Sequence, residues 1–339
     1  MLASKGFADT GFVTPTGQAG GEYYVDSTGN RFFVCKFTST TDHSFTIRHH
    51  TIIDYLVIAG GGGGGHGSGS GGGGAGGFLT GTGFRLDAGV YTISVGAGGI
   101  ASSQSATQSV SGANSSITRS SDSTVMLRAF GGGFGGNENN SLNGGANGGS
   151  GGGARGHDVS GGIAGSGSDA NVIVFGVADP SALHYGNNGG ASGGLLYHGG
   201  GGGGAGAAGA TGGPTGTGGD GGDGKNEIMG LSAANSTILL ALSSINAGVV
   251  DSGTRYLAGG GGGMRQSGSG GGAFNGSAGG AGGKGGGATG GWKGSGSGNQ
   301  GAATAPTANT GSGGGASHSA YGIATGGASG IIILRFRLN

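Results

Sequence analysis

The first candidates for acid–base or metal chemistry in this chain are its eight histidines, its fifteen aspartates and glutamates and its one cysteine. His49 and His50 are adjacent, so on a strand they would face opposite sides and could not share one ion. Neither His-x-His nor His-x-x-x-His, the spacings of a compact metal site, occurs. Asp54 lies inside the apolar run TIIDYLVIA and reads as a satisfied carboxylate at a sheet edge rather than a general base. Cys35, between Phe33, Val34 and Phe37, reads as a buried strand thiol. Gly-x-Gly-x-x-Gly recurs because glycine is abundant, and no strand–helix–strand context supports a dinucleotide site. Gly224-Lys225-Asn226 and Gly283-Lys284-Gly285 lack the Ser or Thr of a P-loop. The segment GGDGGD at 218–223 fits half of a calcium-binding repeat, but Lys225 stands at the hydrophobic position and the nonapeptide does not recur. Serine is too frequent for a triad to be argued. The expectation is therefore no catalytic residue, no metal, no cofactor and no enzyme.

The totals narrow the partners. Fifteen basic residues balance fifteen acidic ones, and without a basic stripe no nucleic-acid partner is expected. No stretch of about 18 apolar residues exists, so no membrane insertion is expected. Met1 to Thr16 lacks a charged start followed by an apolar segment, so no signal peptide is read there. Glycine supplies 100 of 339 residues and proline only 4, which excludes collagen. A single cysteine excludes an intrachain disulfide.

The apolar residues are clumped. RFFVCKF at 31–37, HSFTIR at 43–48, TIIDYLVIA at 51–59, VYTISV at 90–95, TVMLRAF at 124–130, NVIVFGV at 171–177, TILLAL at 237–242 and IIILRFRL at 331–338 are rich in β-branched and aromatic residues and bounded by turn formers. They predict strands. The last run is apolar at successive positions, as a strand buried on both faces would be. Residues 228–246 leave room for one short helix.

Between these runs lie glycine tracts. Residues 60–77 contain 14 glycines, directly after YLVIA; LLYH runs into Gly199 and RYLA into Gly259. Flexible linkers at these points would cost loop-closure entropy three times within one sheet. The residues that interrupt glycine also recur every third position: Pro214, Thr217, Asp220 and Asp223, then Ala278, Ala281 and Lys284. Three is the period of the polyproline II conformation, which leaves backbone N–H and C=O groups free to bond sideways. Side-by-side helices of this kind would satisfy those groups, with the occasional Ala, Ser, Asp or Lys on the outward edge. The predicted fold is all-β: a jelly-roll-like β-sandwich with an inserted polyglycine II helix bundle. Residues 1–30 would form an attachment or assembly arm. Residues 31–339 would form the sandwich domain, with tracts at 60–77, 131–165, 199–224 and 259–298.

The order FTIRHHTIIDYLVIAGGGGGG, GGGGAGGF, AGVYTISVGAGG, SSITRSSDSTVMLRAFGGGFGG and GGASGIIILRFRLN resembles the glycine-rich domain of bacteriophage tail-fibre and virion proteins and of some bacterial surface proteins. It covers roughly Phe45 to Asn339. In layout it is similar to the glycine-rich extracellular region of anaplastic lymphoma kinase, and in tract style to the T-even phage tail-tip adhesins. The resemblance implies a sandwich that carries a polyglycine bundle with receptor-contacting loops at its end. It implies a non-enzymatic virion protein, a tail-fibre or receptor-binding adhesin, placed on a tail fibre or particle surface or otherwise outside a cell. Its expected partners are a host cell-surface receptor or glycan and other virion or fibre subunits, with either one copy or a homo-oligomer (trimer) compatible with a fibre tip. The kinase's flanking domains and disulfides are absent, and residues 1–30 do not match the adhesins' attachment region.

Insertions carrying bulkier residues mark where binding would sit. The receptor-binding set is His184, Tyr185, Asn187, Asn188, Tyr197, His198 and Trp292. Nearby segments add Met264, Arg265, Phe274, Lys293 and the run NENNSLN at 137–143. Tyrosine, tryptophan and asparagine combine rigid amphipathic area with hydrogen bonding, a mixture that also suits sugars. The competing role for the aromatics is to cap the bundle and pack on the sandwich, and the lone Trp292 suits it best. The alternatives to an adhesin are a structural subunit of a capsid decoration or extracellular filament, a flat ice- or surface-binding bundle, and a disordered phase-separating chain.

Overall fold

The computed structural model describes residues 20–25, 29–103, 107–138, 144–156, 163–167, 173–174, 183–193, 197–213, 217–227, 229, 247–266, 279–294, 300–318 and 322–338. Among them are sixteen strands and no helix: β1 (Gly20–Val25), β2 (Arg31–Phe37), β3 (His43–Ile47), β4 (Thr51–Ile58), β5 (Phe78–Leu86), β6 (Gly89–Ser94), β7 (Ser115–Arg119), β8 (Thr124–Ala129), β9 (Ile173–Val174), β10 (Leu183–Tyr185), β11 (Val249–Asp251), β12 (Thr254–Tyr256), β13 (Arg265–Gln266), β14 (Trp292–Lys293), β15 (Gln300–Gly301) and β16 (Ile331–Leu338). The chain is all-β over these residues. The helix expected within 228–246 and the strand TILLAL fall outside the described residues, Met229 apart. Residues 1–19 of the expected arm do too, whereas β1, also within 1–30, joins the main sheet.

Two antiparallel sheets enclose one core. The first has the order β1-β2-β16-β4-β5-β10, the second β3-β6-β7-β8-β9. Phe33, Cys35 and Phe37 of β2, Ile53, Tyr55 and Val57 of β4, and Leu334 and Phe336 of β16 face Phe45, Tyr91, Ile93, Ile117 and Leu127 of the second sheet. Phe45 meets Phe336 edge to face at 6.4 Å. The period-two alternation puts the other residues of β4 and β16, Leu56, Ile58, Ile331 and Ile333, on the opposite face, where Phe78, Ala205, Leu257 and Ala258 cover them. That second layer is why these two strands are apolar at successive positions.

β4 is a central strand, not an edge. Asp54 is held there by Arg335, whose Nε donates to Oδ2 at 2.6 Å, and by the Gly83 N–H at 2.9 Å. The carboxylate is satisfied as expected, but by an ion pair on a sheet interior. His49 and His50 lie in the bend between β3 and β4 rather than on a strand.

The glycine tracts continue the strands from one end of the sandwich. Tracts follow the last residues of β4, β6 and β8 and precede the first residues of β5, β7 and β16. Gly60, Gly61 and Gly62 donate their N–H groups to Ala113, Ala328 and Gly74, and Gly63, Gly64 and Gly65 repeat the rotation with Val110, Thr325 and Gly71. The carbonyls of Gly60, Gly61 and Gly62 accept from Gly132, Gly99 and Gly314. Six different segments therefore surround this tract. Residues 199–204 behave alike: Gly199 and Gly202 donate to Met264 and Gly261, Gly200 and Gly203 to Ala154 and Gly151, Gly201 and Gly204 to Ala210 and Ala207. At Gly62 the need for glycine is close approach, since a Cβ there would overlap the Gly133 carbonyl oxygen. Of the residues expected on the outward edge, Thr217, Asp220, Ala281 and Lys284 are exposed, Asp223 is half-buried, and Pro214 and Ala278 lie outside the described residues, whereas Ala75, Ala154, Ser70 and Ser150 are instead buried within the tracts.

Candidate functional site

Followed outward from the sheets, the tracts end on one set of side chains. His66 follows 60–65, Asn137 follows 131–136, Arg265 and Gln266 follow 259–264, and Ser317 and His318 follow 312–316. Tyr197 and His198 precede 199–204, whose continuation Ala205 packs by the main sheet. Neighbouring tracts thus gather His66, Ser68, Asn137, Glu138, Arg155, Tyr197, His198, Gln266 and His318 at the far end.

Arg155 is the organising group. Buried at the end of GGGAR, it donates Nε to the Ser68 carbonyl at 2.9 Å and Nη1 to the Glu138 carbonyl at 3.0 Å. Its Nη2 is 3.8 Å from Glu138 Oε1. Ser68 N–H donates to Glu138 Oε2 at 3.3 Å, and Glu138 N–H to the His66 carbonyl at 3.0 Å. Asn137 fixes the neighbouring turn: its Oδ1 accepts from His66 N–H at 3.2 Å and its Nδ2 donates to the Thr107 carbonyl at 2.8 Å. Ser68 Oγ lies 3.4 Å from His318 Nε2.

Three buried histidines ring this network, and burial lowers the pKa of each below the ordinary imidazole value. Glu138 partly offsets the effect at His66. Arg265 reinforces it at His198. At His318 Lys293 and His66 reinforce it, against Glu138. Imidazoles held neutral next to a guanidinium and an ammonium are hydrogen-bonding groups at neutral pH rather than cations. Among the described residues no three His, Cys, Asp or Glu side chains come together as a metal site. Asp220 and Asp223 of the GGDGGD segment instead accept the N–H groups of Ala281 at 2.6 Å and Lys284 at 3.0 Å.

A small sheet flanks the cluster. β13 pairs with β14 in parallel, Arg265 opposite Trp292 and Gln266 opposite Lys293. β14 pairs antiparallel with β15, Trp292 opposite Gly301 and Lys293 opposite Gln300. His198 bridges Arg265, and the Gln266 N–H donates to the Tyr197 carbonyl at 3.2 Å. The Trp292 indole lies against Gly301, where a Cβ would collide with it.

The seven residues singled out from the sequence therefore fall into two groups. Tyr197, His198 and Trp292 are at the far end. His184 and Tyr185 lie on β10, opposite Leu79 and Phe78 of the main sheet. Tyr185 donates to Glu227 at 2.8 Å, carries Lys225 over its ring at 4.1 Å, and has its pKa pushed up to about 12 by burial and then by the Glu227 bond. Asn187 donates to the Gly204 and Ala205 carbonyls at 2.8 and 3.1 Å, and Asn188 accepts from the Gly167 N–H at 2.9 Å. His198 precedes Gly199 while Asn187 bonds at Gly204 and Ala205, so the length of the tract 199–204 separates the two groups. Phe274 and residues 139–143 lie outside the described residues. His66, Ser68, Arg155 and His318 were not legible as a set, because their sequence separations carry no pattern. The only signal was that each interrupts or ends a glycine run.

The model of the glycine-rich domain family matches residues 38–337. No curated protein matches the chain.

Proposed function

We propose that this chain, which belongs to the glycine-rich domain family, is a non-enzymatic phage virion protein, a tail-fibre or receptor-binding adhesin. Its scaffold is a jelly-roll-like sandwich bearing a polyglycine II helix bundle. The observation that carries this reading is the hydrogen-bond rotation along 60–65 and 199–204, which ties each tract to neighbours on every side. Such a bundle is stiff without side chains and holds a polar cluster well away from the sandwich. Its partners are a host cell-surface receptor or glycan at the far end and neighbouring virion or fibre subunits at the other, and its location is the tail fibre or particle surface. Immunogold electron microscopy of particles, with an antibody against residues 1–30, tests this. Gold at a fibre tip is the expected result; gold spread along a capsid or filament removes the adhesin reading.

A second reading, a structural subunit of a decoration or filament, is favoured by β1, which among the described residues is an outermost strand of the main sheet. Tyr23 and Val25 are 48% and 61% exposed there, and the edge of a sheet is a template for another strand. Fibres or closed rings formed by the purified protein would support that reading.

A further inference from the structure

Buried polar atoms without a partner are rare in folded proteins and call for an explanation. Three of those found among the described residues are at the far end: His66 Nδ1, His198 Nδ1 and Gln266 Oε1. We propose that the small far-end sheet is a carbohydrate subsite, in which the hydroxyl groups of a short oligosaccharide bind along the row Tyr197, Gln266, Lys293 and Gln300. This names the ligand class of the adhesin reading and rests on it.

The register makes the row. Residues directly opposite on paired strands point to the same face. Gln266 is opposite Lys293, Lys293 opposite Gln300, and Tyr197 stands beside Gln266 through the bridge of His198 to Arg265. Four side chains on one face, with strands about 4.8 Å apart, span roughly 14 Å. That is a footprint for a short oligosaccharide, and all four are half-buried, as floor residues of a shallow site are.

The chemistry of the row selects the ligand. An amide oxygen only accepts, so the partner of Gln266 Oε1 must be a donor such as a sugar hydroxyl. Gln300 adds a second amide, able to accept from one hydroxyl and donate to the next. Tyr197 brings a flat amphipathic ring for the apolar face of a pyranose. Lys293 donates to hydroxyl or carboxylate oxygens, and its charge reaches His318 in the adjoining cluster. A peptide would leave the run of donors and acceptors unevenly met, whereas a sugar ring presents hydroxyls at successive carbons.

The experiment is binding of the full chain to a printed array of neutral and acidic oligosaccharides, with melting temperature followed in parallel. The wild type retains at least one oligosaccharide class. Gln266→Ala weakens that binding at least tenfold and Gln300→Ala by less, both at unchanged melting temperature. Selective loss of acidic sugars in Lys293→Ala assigns the carboxylate to Lys293. Retention of no oligosaccharide by the wild type, or wild-type binding by both glutamine variants, overturns the subsite. Attachment to host cells separates the two ideas. Undiminished attachment to periodate-oxidised cells discards the glycan subsite and leaves an adhesin with a protein receptor. No attachment to any cell, with array binding intact, discards the adhesin reading alone.

Discussion

In the sandwich, Phe45 and Phe336 fill the space between two sheets, and the strands' backbone hydrogen bonds among the described residues run within each sheet. In the tracts, side chains are nearly missing, and backbone bonds leave Gly60, Gly61 and Gly62 in three successive directions. The first region is a side-chain core with a two-dimensional backbone net. The second is a three-dimensional backbone net that excludes side chains. The two should therefore fail under opposite changes: the sandwich when a residue shrinks, the tracts when one grows.

The largest effect expected is in the sandwich. Phe336→Ala empties a fully buried position and costs about 3–5 kcal/mol, read as the shift of a denaturant midpoint. Gly62→Ala comes next, at about 3 kcal/mol, the upper end of overpacking costs, because its neighbour is a backbone carbonyl that cannot rotate away. The control is Gly253→Ala, at a turn glycine with φ of +82° and nothing near a Cβ. There only backbone strain remains, about 1 kcal/mol. Equal midpoints for Gly62→Ala and Gly253→Ala would dissolve the contrast between close approach and conformational strain.

A smaller effect should sharpen the comparison by acting on the far end alone. Burial lowers the folded-state pKa values of His66, His198 and His318 below the unfolded value of 6.5. Their contribution is complete above that value. As pH falls through it, the unfolded chain takes up protons more readily, so stability declines until the folded values are reached. Melting should drop between pH 7.5 and pH 5, and hydrogen exchange at Gly65 and Gly199 should rise before that at Tyr55. A triple His→Gln variant with the same slope would remove these residues as the cause. The smallest effect is at the outward edge. Asp223→Ala loses one exposed carboxylate bond to the Lys284 N–H and costs about 0.5–1 kcal/mol.

Much of the sandwich was legible. RFFVCKF became β2 and IIILRFRL became β16 at the predicted bounds, because a strand buried on both faces leaves an uninterrupted apolar run. β5 was not read, since FLTGTGFRL breaks its apolar residues with Thr and two glycines. SSITR, now β7, carries a single large apolar residue, Ile117. The site was legible only in part. Tyr197, His198 and Trp292 are at the far end, yet Tyr185 and Asn187 of the same expected set hold the root of the tracts. Spacing along the chain could not separate them, because one tract length moves a residue from one end to the other.

By itself the sequence determined the β class, the burial of Cys35 and the three-residue rhythm that turns Asp220 and Lys284 outward. These follow from local periodicity, which a chain carries whatever it packs against. Only the tertiary structure decided which tract neighbours which, and so which residues meet. Gly61 bonds to Ala328, and Ser68 lies beside His318, across separations that glycine cannot encode because every glycine is the same partner. The sandwich strands set that order by fixing where each tract begins.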